Sequence, residues 1–147
     1  MKVSLGSDHA GLRLKNAIAA FLAKEGHEVI DCGTEGEASC DYPEFALRAA
    51  RSVQSGESDR GILVCATGVG MSICANKLKG IRASLCNDLY TARFSRLHND
   101  ANVLCLGERV IGPGLALEIV GLWMRTPFEG GRHQRRLDLI RDMESGD

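Results

Sequence analysis

Short apolar runs alternate along this chain with longer stretches whose apolar residues recur every three or four positions. Residues 2–6, 27–32, 61–65, 81–85 and 103–106 read as strands. Between the first two, Leu14, Ala17, Ile18, Phe21 and Leu22 repeat at helical spacing as far as Gly26. Phe45, Ala46, Ala49, Ala50 and Val53 form a second helical face after Pro43, where Asp41 and Glu44 have capping-box spacing. The spacing predicts further helices over about 70–78, from Asp88 as cap to about Leu97, and from Pro113 through Met124. A last helix begins near Arg132 with Leu137, Ile140 and Met143 turned inward. Strands that alternate with helices pair in parallel through right-handed crossovers. The expected fold is therefore α/β: a three-layer sandwich, a Rossmann-like five-stranded parallel sheet with helices on both faces. With no repeat, low-complexity segment or linker, residues 1–147 form a single domain.

Composition narrows the partners rather than the fold. Apolar residues make up 44% and charged residues 25%, ordinary for a globular chain, and the formal net charge is −1. That balance gives no global field toward nucleic acid or an acidic membrane. The local basic run Arg132-His133-Gln134-Arg135-Arg136 suits one phosphate group better than a duplex backbone. Lys2 to Gly6 already reads as a strand, so no leader is expected ahead of the fold. No apolar stretch approaches the roughly 20 residues that a bilayer span needs. The six cysteines include no CxxC pair and sit mostly in apolar runs, which fits reduced thiols in a cytoplasmic protein.

Candidate chemistry collects at the predicted strand ends, where open parallel sheets bind ligands. Cys65-Ala66-Thr67-Gly68-Val69-Gly70 closes the third strand with a thiol, a hydroxyl and two glycines before a helix begins. Cys65 is either a small core residue or a thiol whose thiolate the free amides and the helix N-terminus would stabilise. The same amides suit an oxyanion developing on a bound carbonyl. Thr67 is either a proton shuttle to that oxygen or a helix cap. Asp8 and His9 follow the first strand as an acid/base pair, a phosphate contact, or an N-cap with a surface histidine. His98 and Asn99 lie just before the fifth strand, as a proton-transfer group or a helix C-cap. Arg132 and Arg136 are one turn apart, a spacing that either grips a phosphate or forms a solvated basic face. All these groups are expected at one rim of the sheet. The four histidines are scattered in sequence and none is paired at zinc-ligand spacing, so no metal site is expected.

Several blocks together carry a resemblance. Gly6-Ser7-Asp8-His9-Ala10-Gly11, Asp41-Tyr42-Pro43, Cys65 to Gly70, Ala75-Asn76-Lys77, Gly80-Ile81-Arg82-Ala83, His98-Asn99-Asp100, Asn102-Val103-Leu104 and Glu129-Gly130-Gly131-Arg132-His133 resemble type B ribose-5-phosphate isomerases. That family also includes the galactose-6-phosphate isomerase subunits. The resemblance runs from residue 2 to about 140, in order and at consistent spacing.

It implies a metal-free aldose–ketose isomerase, without cofactor, that interconverts ribose 5-phosphate and ribulose 5-phosphate through a cis-enediol. Cys65 would be the base; some relatives carry a carboxylate at the position of Met71, which here cannot ionise. Thr67 and the amides of Ala66, Gly68, Val69 and Gly70 would hold the enediolate. His98 would open the furanose ring, with Asp8 assisting. His9, Arg109, Arg132 and Arg136 would bind phosphate, and Tyr42 and Asn99 would line the pocket. The resemblance further implies a homodimer with shared sites, possibly within a tetramer, the neighbour supplying the segment with His98, Asn99 and Arg109. Two positions depart from the family: Ser7 stands where cysteine is frequent, and Ala66 where glycine is usual, awkward if φ there is positive. A tetrose or hexose phosphate such as galactose 6-phosphate or allose 6-phosphate is the alternative substrate. A non-catalytic phosphate-binding module on the same fold is the rival from another class.

Overall fold

Side chains along the central strands point alternately to two different cores. In the computed structural model, which describes residues 1–145, Ile62 and Val64 pack with Val3, Leu5, Leu104 and Leu106 on one face. Leu63 and Cys65 pack with Val103 and Cys105 on the other. This period of two, in strands buried on both sides, is what a parallel sheet between helical layers requires.

The strands are β1 (Lys2–Ser7), β2 (Glu28–Asp31), β3 (Arg60–Cys65), β4 (Ala83–Leu85) and β5 (Val103–Gly107), all parallel in the order β2-β1-β3-β5-β4. The helices are α1 (Leu12–Lys24), α2 (Tyr42–Gln54), α3 (Val69–Ala75), α4 (Leu89–Leu97), α5 (Pro113–Arg125) and α6 (Arg132–Ser145). Leu14, Ile18 and Leu22 of α1, Ala92 of α4 and Ile119, Val120 and Trp123 of α5 cover the first face. Ala46, Ala49 and Ala50 of α2 with Met71 and Ala75 of α3 cover the second. The expected α/β sandwich is the observed one.

Local differences have local causes. β4 begins at Ala83 rather than residue 81, because Ile81 is still in the turn that closes onto Leu78 O. The helix predicted to residue 78 ends at Ala75, and Asn76 turns its amide onto Ser72 O and Ala83 O. Asp41 makes no side-chain cap; Glu44 instead pairs with Arg48 one turn on. Asp88 does cap α4, accepting from Thr91 N–H at 2.7 Å. On α6 only Leu137 of the three predicted inward residues is buried. Ile140 is 41% exposed and Met143 73%. Among the described residues no helix is long and apolar enough to cross a membrane.

Candidate active site

Helix α3 starts immediately beyond β3, so Cys65 ends its strand one short loop below a helix N-terminus. The thiol is 5% exposed, and Sγ accepts from the Gly68 N–H at 3.1 Å. Gly68 itself has φ +78. A Cβ there would stand 2.5 Å from Leu85 Cδ1 and 2.9 Å from the Leu106 carbonyl carbon. Only glycine combines this backbone with this approach. Gly80, at φ +77 with nothing within 4 Å, isolates the backbone term. Gly80→Ala is expected to cost about 1 kcal/mol, and Gly68→Ala about 3 kcal/mol or more. Urea unfolding of the two variants checks this, and equal costs would refute the steric argument.

The remaining loop groups surround the thiol. Thr67 is exposed, and its Oγ1 accepts from Val69 N–H at 3.3 Å. The first turn of α3 leaves the amides of Gly70 and Met71 without partners four residues back. The Tyr42 ring lies where a Gly70 side chain would be, 2.6 Å from the ideal Cβ, so the phenol overhangs the loop. Ala66 has ordinary backbone: among the described residues Asp100 is the one non-glycine with positive φ. The extra methyl at 66 is therefore unstrained.

Two neighbouring segments complete this rim. Sheet order reverses direction after β1, which opens the crevice between the ends of β1 and β3. Asp8 enters it buried, its Oδ1 accepting from Ala10 and Gly11 N–H at 3.0 and 3.1 Å. The cap engages Oδ1 of the carboxylate. His9 Nδ1 accepts from Cys40 N–H at 3.2 Å, which places the ring proton on Nε2 as a free donor. After β5, Glu108 and Arg109 N–H donate to the Cys65 and Ala66 carbonyls at 2.9 and 3.0 Å. The Arg109 backbone is thereby tied to the Cys65 loop of its own chain rather than to the turn carrying His98 and Asn99.

His98 and Asn99 are elsewhere. They follow α4, which runs back from the carboxyl rim, and they precede β5, whose Val103 pairs with Gly61. Cys65 pairs with Gly107 at the far end of the same ladder, roughly 13 Å along at strand rise. The expectation of one rim is corrected: a single chain separates the groups into two clusters at opposite ends of the sheet. Arg132 lies with His98, because Glu129 N–H donates to Leu97 O at 3.0 Å and α6 starts three residues later. Arg132 and Arg136 are both exposed.

The second cluster is tightly built. Asp100, at φ 44, accepts from Arg96 Nη1 at 2.7 Å and from Arg82 Nη2 at 3.1 Å, which locks the turn carrying His98 and Asn99. The His98 and His133 rings stack, centroids 4.1 Å apart, so the histidines are not all scattered in space. His133 and Glu129 stood in the sequence inside a recognised block but carried no role. Their separation of 31 or more positions from His98 hid the contact. Cys32, Cys74, Cys86 and Cys105 pack in the two cores, where burial pushes their thiols up, Cys105 most, whereas Cys40 is half-buried against His9. All six thiols are free.

The family model described as Ribose/Galactose Isomerase matches residues 3–140. The ribose-5-phosphate isomerase B of Escherichia coli (strain K12) is 50% identical over 143 residues, 97% of this chain and 96% of that one. The structure of the Clostridium thermocellum ribose-5-phosphate isomerase B superposes with a TM-score of 0.98 at 56% identity, over 99% of each chain. That of the Mycoplasma genitalium enzyme with bound ribulose 5-phosphate gives 0.95 at 41% identity, over 99% of this chain and 97% of that one. The chain belongs to the ribose/galactose isomerase family.

Proposed function

We propose that the protein interconverts ribose 5-phosphate and ribulose 5-phosphate, at sites each built from two copies of the chain. The observation that carries the chemistry is the Cys65 thiol at a helix N-terminus with the Gly68 N–H on its sulfur. An α-proton beside a carbonyl is weakly acidic, so its removal needs a placed base and a place for the oxyanion. His98 takes the O1 proton as the C1–O4 bond breaks and returns it to O4. Cys65, as thiolate, then removes the C2 proton of the open aldose, and the enediolate oxygens lie against Thr67 and the α3 amides. A proton passes from O2 to O1 by way of Thr67, and Cys65 returns its proton to C1. His9 Nε2–H, Arg109, Arg132 and Arg136 hold the phosphate, so that remote binding orients the reacting carbons. Tyr42 and Asn99 close the pocket.

Two features support a two-copy site. A chain cannot bring its own His98 to its own Cys65 across the length of β3 and β5. Ile140 and Met143 on α6, and Val69 at 47% and Ile73 at 56% exposure on α3, leave apolar surface beside both clusters. A second copy would bury it. The substrate is tested by measuring kcat/KM on four-, five- and six-carbon aldose phosphates. Ribose 5-phosphate is expected to lead. A tetrose or hexose phosphate in first place would overturn the pentose assignment, and no turnover at all would leave a binding module.

A further inference from the structure

The His98 ring contacts two other rings. Phe94 lies 4.7 Å away at 58° between planes, and His133 stacks at 4.1 Å and 13°. Glu129 Oε2 stands 3.6 Å from His98 Nε2 and 3.5 Å from His133 Nε2. His133 is 3% exposed, and its Nε2 is buried without a hydrogen-bond partner among the described residues.

Two imidazoles and a carboxylate within 4.8 Å first suggest a divalent cation. Ring geometry decides otherwise. A metal binds an imidazole in the ring plane, at about 2.0–2.1 Å for zinc. Two nearly parallel rings send their in-plane lone pairs side by side rather than toward one point. A cation between them would meet both π faces. The arrangement suits holding an imidazole, not sharing a metal.

We infer that Glu129 and His133 are positioning residues for His98. The stack fixes the ring plane, and the carboxylate fixes the tautomer. This rests on the isomerase reading above. A small rotation lets Glu129 accept from Nε2–H, which leaves the Nδ1 lone pair of His98 for the sugar's O1 proton. Glu129 then faces the imidazolium that forms, the arrangement by which a carboxylate orients a histidine base. Burial, then the adjacent His98 and Arg132, push His133 down against the opposing Glu129 carboxylate, which favours the neutral ring. It therefore stacks without competing for the carboxylate as a second cation. Both residues are anchored by backbone, Glu129 N–H to Leu97 O at 3.0 Å and His133 N–H to Gly130 O at 3.1 Å.

The test separates ring opening from carbon chemistry. Ribulose 5-phosphate has its O5 blocked and no hydroxyl placed to close a furanose on C2. Deuterium uptake from D2O into its C1 therefore reports the Cys65 step without the ring step. Glu129→Gln is expected to lower kcat on ribose 5-phosphate about 10- to 100-fold, with KM little changed and C1 exchange near wild type. His133→Ala should show the same split, and His133→Phe, which keeps the stack, should recover most of it. Thermal midpoints of the three variants establish that each is folded. Exchange and conversion falling together, or neither falling, would overturn the positioning role. Wild-type protein inert in both assays would instead overturn the isomerase reading on which it stands.

Discussion

Cys65→Ala is expected to lose about 10²–10⁴-fold in kcat, the range a positioned general base contributes, while ribose 5-phosphate binding stays within about tenfold. The argument is local. Sγ is the ionisable atom that receives the Gly68 N–H, and the neighbouring position that offers a carboxylate in some relatives is Met71 here. Alanine removes the base and keeps the amides, Thr67 and the phosphate contacts, so ground-state affinity should survive. The side chain is small and belongs to the core that also holds Ala46, Leu63 and Met71, so the fold should tolerate its shortening to alanine. Single-turnover kinetics with binding measured by calorimetry check both halves. Full activity in the folded variant would remove Cys65 from the mechanism. Equal losses in affinity and turnover would assign it to packing. Deuterium uptake into C1 of ribulose 5-phosphate should vanish in this variant, the opposite of what is expected for Glu129→Gln.

The layers and the sheet were legible because each strand and helix announces its period. Ile62 and Val64 against Leu63 and Cys65 read as a strand buried on both faces, and the structure divides them between two cores. The Cys65 rim was legible in part, since Asp8 follows β1 and Cys65 closes β3, whose carboxyl ends share a rim by topology; Arg109, grouped with His98, was not placed there. What sequence order misplaced was His98. Gathering it at the rim of the strand-end groups ignored that α4 carries the chain back to the other end of the sheet before β5 begins. Ile140 and Met143 failed for a related reason. Helical spacing reports which side of α6 is apolar, not whether this chain or another copy covers it. The His98–His133 stack was hidden because it depends on the end of α4 meeting the start of α6. No local period encodes that contact.

The separation of the two clusters predicts complementation between inactive chains. Cys65→Ala and His98→Asn proteins, each nearly inactive alone, should regain activity when refolded together. In a mixed dimer one site combines both substitutions and is dead. The other pairs an intact Cys65 from one chain with an intact His98 from its partner. Random pairing makes about half the dimers mixed, so roughly a quarter of the wild-type sites return if the assembly is a closed, symmetric pair. The readout is ribose 5-phosphate turnover per mole of chain, before and after co-refolding. A site contained in one chain forbids any gain, because every chain in the mixture carries a lesion. Activity no higher than the sum of the parents would therefore overturn the shared site. Parents mixed without unfolding serve as the control, and their recovery should be limited by subunit exchange. The same design assigns the arginines. Arg109→Ala should fail to complement Cys65→Ala, since both lie on the rim bound through Ala66 O, and should complement His98→Asn. Arg132→Ala should behave in the reverse way, because the Leu97–Glu129 bond holds it beside His98.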